Sequence, residues 1–336
     1  MTTTLTDQPH SSSLTDHTHS SSLTDQTRSS SGALLADETR VGGVELRITD
    51  LERSLDFYTR VIGLSVHARD DRFAALGVGG EDLVTLRADP RARPAGRHAG
   101  LYHYALLFPT REELARAGRR VATTRTRIDG ASDHGTHEAI YLPDPDGIGI
   151  ELAADRPRER WPDLSGAAFY ANGPQPLDVG ALFATIEAPA RGPGGESPDA
   201  PADAPPLQAA PGLSIGHVHL HVGDLAASTR FYRDGLGFEV KTSMPTATFV
   251  SAGGYHHHVA YNLWRGGGVG PAPDDVVGLL HWTLVCADPD EREAVRSRLA
   301  TLGVALEERG VAPPRPASGT GATIARDPSG IAVLIR

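Results

Sequence analysis

The chain has 336 residues, 39% hydrophobic and 22% charged, which is ordinary globular composition with room for about two domains. Thirty-two basic against 42 acidic side chains leave a formal charge of −10. That balance lacks the electrostatic footprint of a nucleic-acid or anionic-membrane binder and favours a small-molecule partner. The single cysteine, Cys286, permits no intrachain disulfide, and neither a leader peptide nor a long apolar span is found, so a soluble cytoplasmic protein is expected.

Residues 5–31 read LTDQPHSSS, LTDHTHSSS, LTDQTRSSS, a polar repeat with too few apolar side chains to offset chain entropy. Residues 1–38 are therefore expected to be a disordered tail, and His10, His17 and His19 are set aside. A Pro/Gly/Ala-rich stretch at 188–211 without a period of 2 or 3.6 is expected to be a linker. It separates two domains, 39–187 and 212–336.

Those halves repeat each other. Residues 41–66 and 215–240 align without a gap at ten identities in 26, and such internal similarity outranks any local reading. Each copy opens with alternation, in which His217, His219 and His221 share one strand face and Val218, Leu220 and Val222 the other. A helix follows. In the first copy, Thr49 to Glu52 reads as a capping box, Leu51, Leu55, Tyr58 and Ile62 as the buried stripe, and Gly63 as the stop. Each half then holds a second unit, beginning GLYHYALLFP at 100–109 and GLLHWTLVC at 278–286 and closing with DPDGIGIEL and DPSGIAVLI. Asp-Pro-x-Gly signals a turn and the alternation after it a final strand. The sum is an α+β chain of four βαβββ units, roughly 41–90, 99–155, 213–265 and 276–336.

GHVHLHV, SAGGYHHHVAYNLW, GLYHYALL, and SDHGTHEAIYLPDPDGIGIEL followed by DRPRERW resemble the catechol 2,3-dioxygenase branch of the vicinal-oxygen-chelate superfamily (glyoxalase, bleomycin resistance, extradiol dioxygenase). The resemblance spans about 41–336 apart from the linker. It implies that units pair into cups, with metal ligands from the first strand of each unit and the last strand of one. The usual set is two His and one Glu, which leaves positions open on iron for a bidentate substrate and dioxygen. On this chain the corresponding positions are Gly43 in the first unit, His103 and Glu151 in the second, His217 in the third, and His281 and Leu334 in the fourth. Neither half is complete alone. Units two and three together supply His103, Glu151 and His217, so pairing across the halves is inferred, with units one and four as a metal-free structural cup.

The resemblance further implies an acid–base His and a His/Tyr pair on the bound diol. His257 matches the first by lying three residues before Ala260, Tyr141 lies ten before Glu151, and His134 precedes Tyr141 by seven. The family spacing there is slightly longer, and His137 competes with His134. The implied activity is extradiol cleavage of a catechol-type diol by O2 with Fe(II), Mn(II) suiting the same ligands. Catechols and hydroquinones stay open as substrates, and a homo-oligomer through sheet edges is open as well.

Plainer readings stand beside these. His281 is expected to be a packed relic, and His219 and His221 to orient the site or pack. Alternation in GGYHHH sends His256 and His258 to the face opposite His257. Tyr102, Tyr104, Trp264 and Trp282 are expected to fill cores, and clusters such as Arg111–Glu113 and Glu291–Glu293 to be solvated helix faces. A glyoxalase-type isomerase or lyase is the first alternative, but it resembles a four-ligand site, and VAYNLW offers only Asn262, which is short. A metal-free sequestering protein like the bleomycin-binding members is the second, and a surviving triad argues against it.

Overall fold

Strand alternation followed by a helical stripe and three short strands recurs four times in the computed structural model, which is described for residues 34–163, 173–186, 208–309 and 322–336. The first unit holds β1 (Arg40–Ile48), α1 (Leu51–Asp56), β2 (Ser65–Arg69), β3 (Phe73–Val78) and β4 (Glu81–Ala88). The second holds β5 (Gly100–Phe108), α2 (Arg111–Thr123), β6 (Gly130–Asp133), β7 (His137–Pro143) and β8 (Gly149–Asp155). A two-residue strand, β9 (Gln175–Pro176), and a short helix, α3 (Val179–Ala184), follow. The third unit has β10 (Ser214–His221), α4 (Leu225–Thr229), β11 (Glu239–Met244), β12 (Ala247–Ser251) and β13 (Val259–Asn262). The fourth has β14 (Gly278–Val285), α5 (Pro289–Thr301), β15 (Leu306–Glu308), β16 (Thr323–Arg326) and β17 (Ala332–Ile335).

The units pair across the halves. One eight-stranded sheet runs β15-β16-β17-β14-β1-β4-β3-β2 and joins units four and one; a nine-stranded sheet runs β11-β12-β13-β10-β5-β8-β7-β6-β9 and joins units three and two. The seam is antiparallel pairing of first strands, β1 with β14 and β10 with β5. Both seams slip register at the same repeat position, between Val41 and Val44 in β1 and between Ile215 and Val218 in β10. Such bulges re-aim side chains. One carries Gly42-Gly43, the other Gly216-His217.

Buried apolar residues from both sheets form one cluster that includes Tyr58, Tyr104, Val218, Leu220 and Trp282; truncating a buried Leu or Ile in such a core costs about 2–5 kcal/mol. Two equivalent clasps link the sheets. Tyr58 donates to Asp144 (3.2 Å) and Tyr232 to Asp327 (3.0 Å), so each Asp-Pro-x-Gly turn also holds the other sheet. Burial, opposed by these hydrogen bonds and those from backbone amides, pushes both carboxyl groups up to about 6. α1 and α4 each continue as a π-helical stretch, Phe57–Ile62 and Arg230–Leu236; Arg120 donates to Val61 and Ile62 carbonyls and Arg298 to Gly235 and Leu236 carbonyls, placing a cation at the C-terminus of each stretch, where it is favoured.

Three local expectations are corrected. The cap of α1 is Asp50, whose side chain accepts from Arg53 N, because Thr49 is drawn to Asp146 at 2.6 Å. Leu35, read as tail, is buried and donates to Gly237 O. Glu291 is not simply solvated, since it accepts from Ala36 N and Thr39 Oγ1. Most of the expected tail and linker lies outside the described residues, including His10, His17 and His19. Among the described residues no helix is long and apolar enough to cross a membrane.

Candidate metal centre

Parallel β5 and β8 align Ala105 with Glu151, which sets His103 and Glu151 two residues apart on one face; β10 crosses antiparallel, with His219 opposite His103. The β10 bulge then delivers His217. Glu151 Oε2 lies 3.1 Å from both His103 Nε2 and His217 Nε2, and one ligand atom from each of the three lies within 4.8 Å of the others. All three residues are buried. Gly149 is required for the close approach of β8 to β5, because a Cβ there would sit 2.2 Å from Tyr102 O.

Burial alone would raise the Glu151 carboxyl, but the charge of His217 and hydrogen bonds from His103, His137 and His217 outweigh it and hold the group well below its usual range. Burial holds His217 down, against the pull of Glu151. For Glu151 and His217 these directions favour the deprotonated form that metal ligation requires. Two imidazoles and one carboxylate also match a divalent transition metal by donor type.

The remaining site expectations converge on the same cavity of about 540 Å³, which is lined by His134, Tyr141 and His257 together with the three donors. Tyr141 OH and His134 Nε2 are 2.8 Å apart. Burial first, then the Glu151 charge, raises the Tyr141 phenol far above its ordinary range, so it remains a hydrogen-bond donor. The His257 ring lies tilted beside that of His217, centroids 4.2 Å apart, and its Nδ1 meets His256 Nδ1 at 2.8 Å. That leaves Nε2 as the nitrogen able to act in the cavity.

Some neighbours differ from expectation. His256 lines the cavity along with His257, because residues 252–258 are turn and irregular chain and β13 starts only at Val259; alternation does not govern a non-strand. The adjacent Gly253 and Gly254, both with positive φ, are the signal that marks a turn there. His137 holds the second oxygen of Glu151, Nε2 to Oε1 at 3.1 Å, while its Nδ1 meets Thr136 Oγ1 at 2.8 Å. Its parity with Tyr141 along β7 is a signal that it shares that face. His137 is stacked between His134 (4.4 Å) and His256 (4.6 Å). Asn262, far from ligating, bonds His219 and His221 at 2.8 Å each. Tyr104 and Trp282 are fully buried, but Tyr102 and Trp264 are 41% and 51% exposed and line the cavity instead of a core. The DRPRERW segment serves the same loop: Arg158 donates to Gly253 O at 2.9 Å, and Trp161 packs 5.3 Å from His256.

Among the described residues the other cup brings no such set together. His281 there faces Arg309, Nη1 to Nε2 at 2.8 Å, and Arg309 pairs with Glu45 at 3.1 Å. Gly43 and Leu334 contribute no donor side chain.

The model of the Glyoxalase/Bleomycin resistance protein/Dioxygenase superfamily matches residues 40–152 and 214–335, and the chain belongs to this superfamily. It is 38% identical over 278 residues to catechol-2,3-dioxygenase of Bacillus subtilis, covering 81% of this chain and 91% of that protein. Lactoylglutathione lyase of Neisseria meningitidis is 33% identical over 118 residues, which cover 32% of this chain and 84% of the lyase. Among solved structures, glyoxalase I from Zea mays superposes with a TM-score of 0.52 at 18% identity, covering 88% of this chain and 92% of that one. A Bacillus subtilis structure does so with a TM-score of 0.59 at 13% identity, over 88% and 84%. These two likenesses concern the fold.

Proposed function

We propose that the chain is a cytoplasmic extradiol ring-cleavage dioxygenase acting on a catechol-type diol, with Fe(II), or Mn(II), held by His103, Glu151 and His217. The observation that carries this is the convergence of that triad with His257, Tyr141 and His134 in one cavity, in a chain 38% identical to a catechol-2,3-dioxygenase along most of its length. Iron held by His103, Glu151 and His217 would supply Lewis acidity and an electron path from diol to dioxygen. The ring bond beside the diol carbons breaks, both dioxygen atoms enter the product, and no external reductant is needed.

The protein's own groups move and hold protons. Burial, then the neighbouring His217, keeps the His257 imidazole well below its usual range, so it is neutral and ready to take a diol proton through Nε2 and return it later, work that contributes about 10²–10⁴-fold. The Tyr141 hydroxyl, anchored by His134, is the donor that steadies charge on a substrate oxygen. His256 orients His257 through their shared 2.8 Å contact.

The lyase alternative fits less well. Glutathione carries two carboxylates, and among the described lining residues none is Lys or Arg. The test is anaerobic loading with Fe(II), addition of a catechol in air, and absorbance of the yellow semialdehyde. Product formed by the wild type and reduced at least ~100-fold in His257→Gln is expected; metal-loaded protein that cleaves no diol refutes the reading.

A further inference from the structure

Around the metal centre one wall of the cavity is a run of rings. From His257 it passes to Phe249 (centroids 5.3 Å), His219 (6.0 Å), Trp264 (5.1 Å), Tyr102 (5.3 Å) and back to His103 (4.9 Å). The arc therefore joins the proposed acid–base group to a proposed metal ligand without a break. Its outer members, Trp264 and Tyr102, meet edge to face while exposed at 51% and 41%. Large exposed aromatic surface at the mouth of a cavity marks a face meant to be covered by an apolar ligand.

Size and charge agree with this. At about 540 Å³ the cavity falls among those that enclose drug-sized ligands, roughly 300–1,000 Å³, and a single diol ring leaves much of it unfilled. Among the described lining residues the charged side chains are Glu151 and Asp129, both acidic. Asp129 at the rim pairs with Arg127 at 2.8 Å, so that guanidinium is already engaged. Among the described lining residues no Lys or Arg stands ready to meet a carboxylate on the substituent, and a desolvated charge without a partner is strongly disfavoured.

We propose that the chain selects catechols bearing a bulky, uncharged, apolar substituent, seated along the Phe249–Trp264–Tyr102 arc, and discriminates against carboxylate-bearing diols. The proposal rests on the dioxygenase reading for its chemistry, but the binding preference is separable from it.

The experiment compares catechol, the isopropylcatechols and the dihydroxybenzoates, the last two being matched in shape and different in charge. With iron-loaded protein, kcat/KM for the better isopropylcatechol is expected about tenfold or more above catechol, and about 100-fold or more above the corresponding dihydroxybenzoate. In Trp264→Ala the isopropylcatechol-to-catechol ratio should fall about tenfold. Intrinsic fluorescence gives a readout that needs no turnover. Without oxygen, isopropylcatechol should quench wild-type emission more than that of Trp264→Phe, and dihydroxybenzoate should not. Comparable kcat/KM for isopropylcatechol and dihydroxybenzoate, or a preference for bare catechol, overturns the proposal. If no diol is cleaved, the dioxygenase reading fails, and the quenching decides the ligand preference: a response to isopropylcatechol alone upholds it, equal responses overturn it.

Discussion

The two sheets are built from the same repeat in the same strand order, yet one gathers a buried donor set and the other a salt bridge. In the sheet of units two and three, Glu151 sits among three imidazoles. In the sheet of units one and four, Glu45 meets Arg309 and Arg87, at 3.1 Å each, beside His281. Glu45 occupies the repeat position of His219, and Gly43 that of His217. The bulge at the seam is a property of the fold, whereas the side chain placed on it decides whether a cup gathers a donor set. In the second cup guanidiniums supply the positive charge that a partly buried carboxylate needs.

Substitutions that act on one cup and spare the other test this comparison. The largest effect is expected for Glu151→Ala, which should lower metal affinity by well over the ~100-fold that loss of an outer partner costs and abolish ring cleavage. Glu45→Ala should leave the metal content near wild type and cost stability instead, about 1 kcal/mol for each of the two partly exposed ion pairs it removes. Elemental analysis with urea unfolding reads both; metal loss in Glu45→Ala would break the division between the cups.

Next is His137→Ala, which frees Oε1 of Glu151. Metal affinity should fall about 10–100-fold, measured by chelator competition, with smaller loss in His137→Gln, whose amide can still donate. Unchanged affinity in the alanine variant would mean that Glu151 is oriented by the strand alone.

The Tyr–Asp clasps should behave alike, since both sheets contribute to each. A carboxyl raised from 3.8 to about 6 by burial binds its proton more tightly folded than unfolded. Stability from that group is therefore full below about pH 4 and is lost as pH rises toward 6, by about 3 kcal/mol for each clasp. Asp144→Asn and Asp327→Asn should each flatten that part of the pH profile in urea titrations between pH 4 and 7. A slope unaltered by both variants would locate the effect elsewhere.

The smallest effect concerns Gly43. A Cβ there would lie 2.7 Å from Asp82 O and 3.2 Å from Leu83 O, both backbone atoms, so Gly43→Ala should destabilise by about 1–3 kcal/mol. For the same reason a histidine at 43 has no room, and the second cup cannot be made into a metal site by introducing ligands alone. Metal binding by a Gly43→His, Leu334→Glu variant, seen by calorimetry, would contradict this.

The sequence by itself determined the four units, because alternation, helical stripes and Asp-Pro-x-Gly turns are local patterns whose period survives any packing. It also held enough to infer the pairing of units two and three, since only that pairing completes the His103, Glu151 and His217 positions, and the sheet order agrees. Tertiary structure decided what depends on atoms distant along the chain. Thr49 left its capping role because Asp146 reached it, and His256 joined the cavity because GGYH forms a turn in place of a strand. Tyr102 and Trp264 became cavity wall because the seam between units turned them toward one another and outward. His137 gained its hold on Glu151 only when β7 and β8 paired. Local periodicity reports which face a side chain shares; which group stands across from it is set by how the sheets close.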